Sequence, residues 1–146
     1  MSLKERSEEL ITRFNKFSDW EDKYKELIKI GRELDDFPLA DQVDKYLISG
    51  CQSSVWLKPT YQNGQVLFQA TSDAMLVRGI IAVLVFVYSK NTPDEILEFK
   101  SDFLQEIGIT HHLSLNRTNG LASMFKQIQL YALAYKSLSD QGVLSL

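Results

Sequence analysis

The chain has 146 residues, 45% of them hydrophobic and 24% charged, and a net charge of −3. A chain of that length buries roughly two-thirds of its unfolded surface in one core, so a single domain over 1–146 is expected, and the composition excludes a disordered or fibrous protein. The acidic balance gives no invitation to nucleic acid or to anionic membranes, and neither is expected as a partner.

The N-terminal MSLKERSEEL lacks the apolar run of a secretory signal. The longest apolar stretch, from Ile80 to Tyr88, falls far short of the roughly 18 to 20 residues that span a bilayer. One cysteine, Cys51, excludes an internal disulfide and a multi-thiolate metal site contributed by this chain alone. A reducing cytoplasm is the expected location.

Leu10, Phe14 and Phe17 recur at i, i+4, i+7 and predict an amphipathic helix. Ser18 with Glu21 has the spacing of a capping box and predicts the start of a second helix. On that helix Trp20, Tyr24, Leu27, Ile28 and Gly31 share one face. Asp35-Asp36-Phe37-Pro38 ends the helical pattern.

From Tyr46 to Ala70 the period becomes two, as in strands. Asn63-Gly64 predicts a two-residue hairpin turn, which pairs Gln62 with Gln65, Tyr61 with Val66 and Pro59 with Phe68. Pro59 then stands where its missing N–H would point away from this partner strand. A third strand around Val43 to Ile48 is expected on the Cys51 side, stopping short of Pro59, with Cys51 in the connection. Ser72-Asp73 offers an N-cap for a central helix from Met75 to Ser89, apolar on nearly every face apart from Arg78. Its β-branched content also reads as a buried strand, but length and cap favour the helix. Thr92-Pro93-Asp94-Glu95 marks another helix start. Leu121, Met124, Phe125, Ile128, Tyr131, Ala132, Tyr135 and Leu138 form one long helical stripe. The expected class is α+β: a small antiparallel sheet of about three strands packed against helices.

The adjacent His111-His112 have no third ligand nearby in sequence, so solvated or packing roles are preferred to a metal site. No GxGxxG, Walker loop or HExxH occurs, and no cofactor is expected in this chain. Cys51 lies in Gly50-Cys51-Gln52-Ser53. A lone intracellular cysteine is more often a small buried hydrophobe than a nucleophile. Yet Gly50 permits a tight loop, and the flanking amides and hydroxyls could hydrogen-bond a thiolate. Arg78 or Arg117 could approach it in space.

Gly50-Cys51-Gln52-Ser53 continuing into Val55-Trp56 resembles the GCQSxVW signature of the SufE sulfur-acceptor proteins. Three further blocks agree in order and spacing. Trp20, Tyr24, Leu27, Ile28 and Gly31 resemble WxxxYxxLIxxG, and Ser72-Asp73-Ala74 with Val77, Arg78 and Gly79 resembles SDAxxVxG. His112-Leu113-Ser114, Arg117, Asn119-Gly120-Leu121 and Met124 resemble HLSxxRxNGLxxM, with Leu115 where proline is frequent.

The resemblance implies a fold shared with IscU-type iron–sulfur scaffolds. It also implies a sulfur carrier, not an enzyme in its own right, that takes persulfide sulfur from a cysteine desulfurase onto Cys51. Stimulation of that desulfurase and delivery of sulfur to a scaffold or other acceptor would follow. Pyridoxal phosphate belongs to the partner desulfurase. Gly50, Gln52, Ser53, Asp73, Arg78, Arg117 and Asn119 are the expected partner-binding or loop-positioning residues. The alternatives are a thiol redox sensor, for which no resolving cysteine is present, and an interaction module with an inert cysteine. A scaffold that holds a cluster by itself needs several ligands, which one cysteine does not supply.

Overall fold

The computed structural model describes residues 1–100 and 102–142. Helices α1 (Leu3–Asn15) and α2 (Trp20–Arg32) form the N-terminal hairpin, followed by 3-10 turns at Leu39–Asp41 and Asp44–Tyr46. Strands β1 (Val55–Gln62) and β2 (Gln65–Ser72) lead into α3 (Met75–Tyr88). Short helices α4 (Pro93–Glu98) and α5 (Phe103–Glu106) and a 3-10 turn (Thr110–His112) precede the long α6 (Leu115–Asp140).

The α+β class holds, and α3 is its centre. Ten of its residues, from Leu76 to Tyr88, are buried, because α2 crosses it on one side while α1, β2 and α6 cover the others. A helix so covered keeps no polar stripe, which is why its sequence is apolar almost all round. The carbonyls at its C-terminal end are met from two directions. The Asn91 amide donates to the carbonyls of Val87, Tyr88 and Ser89, and the Arg6 guanidinium of α1 donates to that of Ser89. The buried Tyr88 hydroxyl donates to the Phe99 carbonyl at 3.1 Å, so its polar tip is not orphaned in the core.

The hairpin register is the one Asn63-Gly64 dictates: Gln62 faces Gln65, Tyr61 faces Val66 and Pro59 faces Phe68. Asn63 and Gly64 both take positive φ, at 53° and 76°, as a type I′ turn requires. Val55, Leu57, Val66, Phe68 and Ala70 point into the core. On this face Tyr135 of α6 stacks on Tyr61 at 5.1 Å.

Two expectations are corrected. The third strand narrows to one antiparallel bridge, Leu47 with Trp56, beside the Ile48 N–H donating to the Val55 carbonyl. Farther back the backbone bonds locally, Tyr46 to Val43 and Leu47 to Asp44, and Pro59 offers no N–H on that outer edge to continue a ladder. The sheet therefore has two strands. The second correction concerns caps. Asp19, not Ser18, caps α2, its carboxylate accepting from the Glu21 N–H. Ala74 stands at the N-cap of α3 with no side-chain cap bond, because Ser72 and Asp73 are engaged elsewhere. The Thr92–Glu95 capping box forms as read.

Candidate functional site

The Ile48–Val55 hydrogen bond closes the base of a loop, and the residues between them carry Cys51. Ser72 and Asp73, at the end of β2, hold its far side. The Asp73 carboxylate accepts from the Ser54 N–H at 3.2 Å, and the Ser72 hydroxyl donates to the Ser54 carbonyl at 2.7 Å. Both backbone groups of Ser54 are thus gripped by the strand that precedes α3. The expected positioning role of Asp73 has this geometric basis.

Gly50 takes φ +87°, a left-handed conformation that other residues adopt only at a cost. A Cβ there would also come within 2.6 Å of the Ser123 hydroxyl on α6. Glycine is therefore needed for its backbone angle, while the Ser123 hydroxyl, the free end of a side chain, can rotate aside. The ordinary angles that would let valine replace it without loss of stability are absent.

Bent in this way, the loop lays Cys51 against the first turns of α6. The thiol is half-buried, and its S–H donates to the Gly120 carbonyl at 3.7 Å. Burial pushes its pKa up from the ordinary thiol value, since desolvation disfavours the thiolate. Among the described residues no flanking hydroxyl or amide donates to the thiol sulfur, and the Ser54 backbone is taken by the β2 clamp. The resting site keeps a protonated, restrained thiol.

Beside the sulfur is a cavity of about 30 Å³, lined by Cys51, Gln52, Ser53, Val77, Ile80, Asn116, Arg117, Gly120 and Met124. A second, more open cleft on the other side of the loop is lined by Gly50, Cys51, Gln52, Asn116 and Asn119. Of the expected residues, Gly50, Gln52, Ser53, Arg117 and Asn119 converge on Cys51, and Asp73 acts on the loop's far end. Arg78 does not line the cavity. It is half-buried, and its Nε has no hydrogen-bond partner among the described residues. Neither arginine forms an ion pair with Asp73 or Asp102 among the described residues, so Arg117 is an exposed cation at the mouth of the site. His112 stacks on Trp20, ring centroids 4.6 Å apart. No group of three or more potential metal ligands occurs among the described residues.

Residue reasoning did not single out the wall formed by Ile80, Asn116 and Met124. Only the i, i+4 spacing of Asn116, Gly120 and Met124, which puts them on one strip of α6, hinted at it.

An α+β fold that presents a single sheltered thiol on a loop between its sheet and a long helix defines a small thiol-bearing protein. Residues 8–132 match the family described as SufE, Fe-S metabolism associated domain. The chain belongs to the SufE family. A SufE-like protein of Synechocystis sp., itself described as uncharacterized, is 30% identical over 133 residues, covering 91% of this chain and 84% of that protein. The solution structure of a hypothetical protein from Thermus thermophilus superposes with a TM-score of 0.75 at 15% identity. The match covers 90% of this chain and 96% of that one, a likeness of fold. A role in iron–sulfur metabolism follows from the family. No described helix is long and apolar enough to cross a membrane.

Proposed function

We propose that the protein accepts sulfur from a cysteine desulfurase on Cys51, stimulates that enzyme by clearing it, and passes the sulfur on for iron–sulfur cluster assembly. The observation that carries this reading is the placement of the chain's one thiol over a cavity, on a clamped loop, in a chain of the SufE family. In the transfer, the Cys51 thiolate attacks the outer sulfur of the desulfurase persulfide. That S–S bond breaks and the enzyme's thiolate leaves, so atoms and charge balance. The raised thiol pKa keeps Cys51 unreactive until docking moves the loop and exposes it. Gly50 gives the loop its hinge. Arg117 offers the partner a charge-bearing contact beside the sulfur, and Asn119 lines the second cleft.

Incubation with a desulfurase and cysteine is expected to add one sulfur atom to the intact mass, removable by reductant. Cys51→Ser is expected to abolish both the adduct and the stimulation while leaving the fold unchanged. Full stimulation by the serine variant would overturn sulfur relay. Reaction of Cys51 with peroxide, but not with a persulfide-loaded desulfurase, would favour a redox sensor.

A further inference from the structure

Gly120 is an anomaly in α6. It occupies the interior of a 26-residue helix, where glycine costs about 1 kcal/mol relative to alanine. It takes no positive φ, so no backbone requirement explains it. Steric pressure in the thiol state does not explain it either. A Cβ on Gly120 would sit 3.7 Å from the Cys51 sulfur and 4.0 Å from its Cα, with no closer neighbour. Alanine would fit the resting protein at ordinary contact distance.

The conflict arises only when the sulfur grows. A second sulfur bonded to Sγ lies about 2.05 Å from it. If that atom pointed along the line to the missing Cβ, only about 1.7 Å would remain to a methyl group there, by subtraction of that S–S length from the 3.7 Å separation. The cavity beside the sulfur measures about 30 Å³, above the roughly 10–15 Å³ that one water needs, so an added sulfur atom has room there. Its apolar walls are the buried side chains of Val77, Ile80 and Met124, which do not retreat without cost, and its polar walls include the exposed Gln52, Asn116 and Arg117. On the functional reading above, we propose that Gly120 provides the clearance of the closed site: the missing methyl leaves room on Cys51 for an added sulfur. The loop can then close over the persulfide as it closes over the thiol. A carrier that had to open on loading would expose its sulfur to stray thiols.

The test does not depend on a desulfurase. Cys51 is converted to a mixed disulfide with an aromatic thiol, and hydrosulfide displaces the aryl thiolate to leave the persulfide. Amide hydrogen exchange of residues 49–54 and the rate of cyanolysis of the persulfide are measured on wild type and Gly120→Ala. In wild type, loop exchange is expected to match within about twofold between thiol and persulfide.

In Gly120→Ala the thiol form is expected to exchange like wild type, with an equal or higher melting temperature. Its persulfide form opens the loop and loses sulfur to cyanide about tenfold faster. Equal cyanolysis and equal loop exchange in the two loaded proteins would overturn the proposal, as would a loop already open in the alanine thiol form. Failure of a desulfurase to load the wild type leaves these readouts intact and bears only on the functional reading.

Discussion

At Cys51 a pH dependence follows from burial. Its folded pKa lies above the ordinary thiol value. The closed loop therefore has its full protonation-linked stability below the unfolded pKa, roughly 8.5, and loses it as pH rises through the raised folded value. Alkylation in the free protein is expected to be slower than for a peptide thiol at neutral pH, with its midpoint displaced to the alkaline side. A midpoint at or below the peptide's would contradict a sheltered sulfur. Asp73 supplies the matching structural experiment, because its carboxylate holds the Ser54 N–H. Asp73→Ala is expected to accelerate Cys51 alkylation several-fold while costing about 0.5–1.5 kcal/mol, the net value of one hydrogen bond. Loss of stability with alkylation unchanged would confine Asp73 to structure.

Among the elements, the crossing of α2 over α3 decides where the cavity wall stands, since Val77 and Ile80 on α3 flank the point of contact. A Cβ on Gly79 would come within 2.8 Å of the Leu27 carbonyl carbon, and closer still to its oxygen. A Cβ on Gly31 would meet the Gly79 nitrogen at 2.8 Å. These obstacles are backbone and cannot rotate away. Gly79→Ala is therefore expected to lower the urea midpoint by the equivalent of about 1–3 kcal/mol or more, as overpacking does. Helix propensity alone predicts the opposite sign, a gain of about 1 kcal/mol. A raised midpoint would show that the helices separate freely. The same two glycines appear in the family-like blocks of the sequence, and helix contact is the physical reason for their presence there.

Over the whole molecule the charge is −3, yet the mouth of the thiol site carries Arg117, exposed and without an ion pair among the described residues. Such a cation contributes little to folding, since even exposed pairs give about 0–1 kcal/mol. It is well placed for long-range attraction and register with a partner. On the proposed function, Arg117→Glu is expected to weaken desulfurase binding about tenfold or more, with the melting temperature nearly unchanged. Isothermal titration beside thermal unfolding separates the effects: unfolding with intact affinity would assign Arg117 to structure.

What the sequence determined by itself was local chemistry. Asn63-Gly64 set the hairpin register because its backbone angles permit one turn, and Thr92 with Glu95 closed a capping box within one helical turn. The single thiol in its GCQS block was equally plain. Where a short-range signal had competitors one residue away, as at Ser18 and Asp19, it misplaced the cap. Tertiary structure decided the rest. Ser72 and Asp73 look like helix caps in sequence, yet they grip Ser54, eighteen and nineteen residues earlier, because β1 begins beside the end of β2. The walls around Cys51 come from α3 and α6, and residues 51 and 120 meet only through packing across a separation of 69 residues. Periodicity shows that a helix has a buried face; which neighbour that face meets, and how much space remains between them, is set by the close packing of all the elements together.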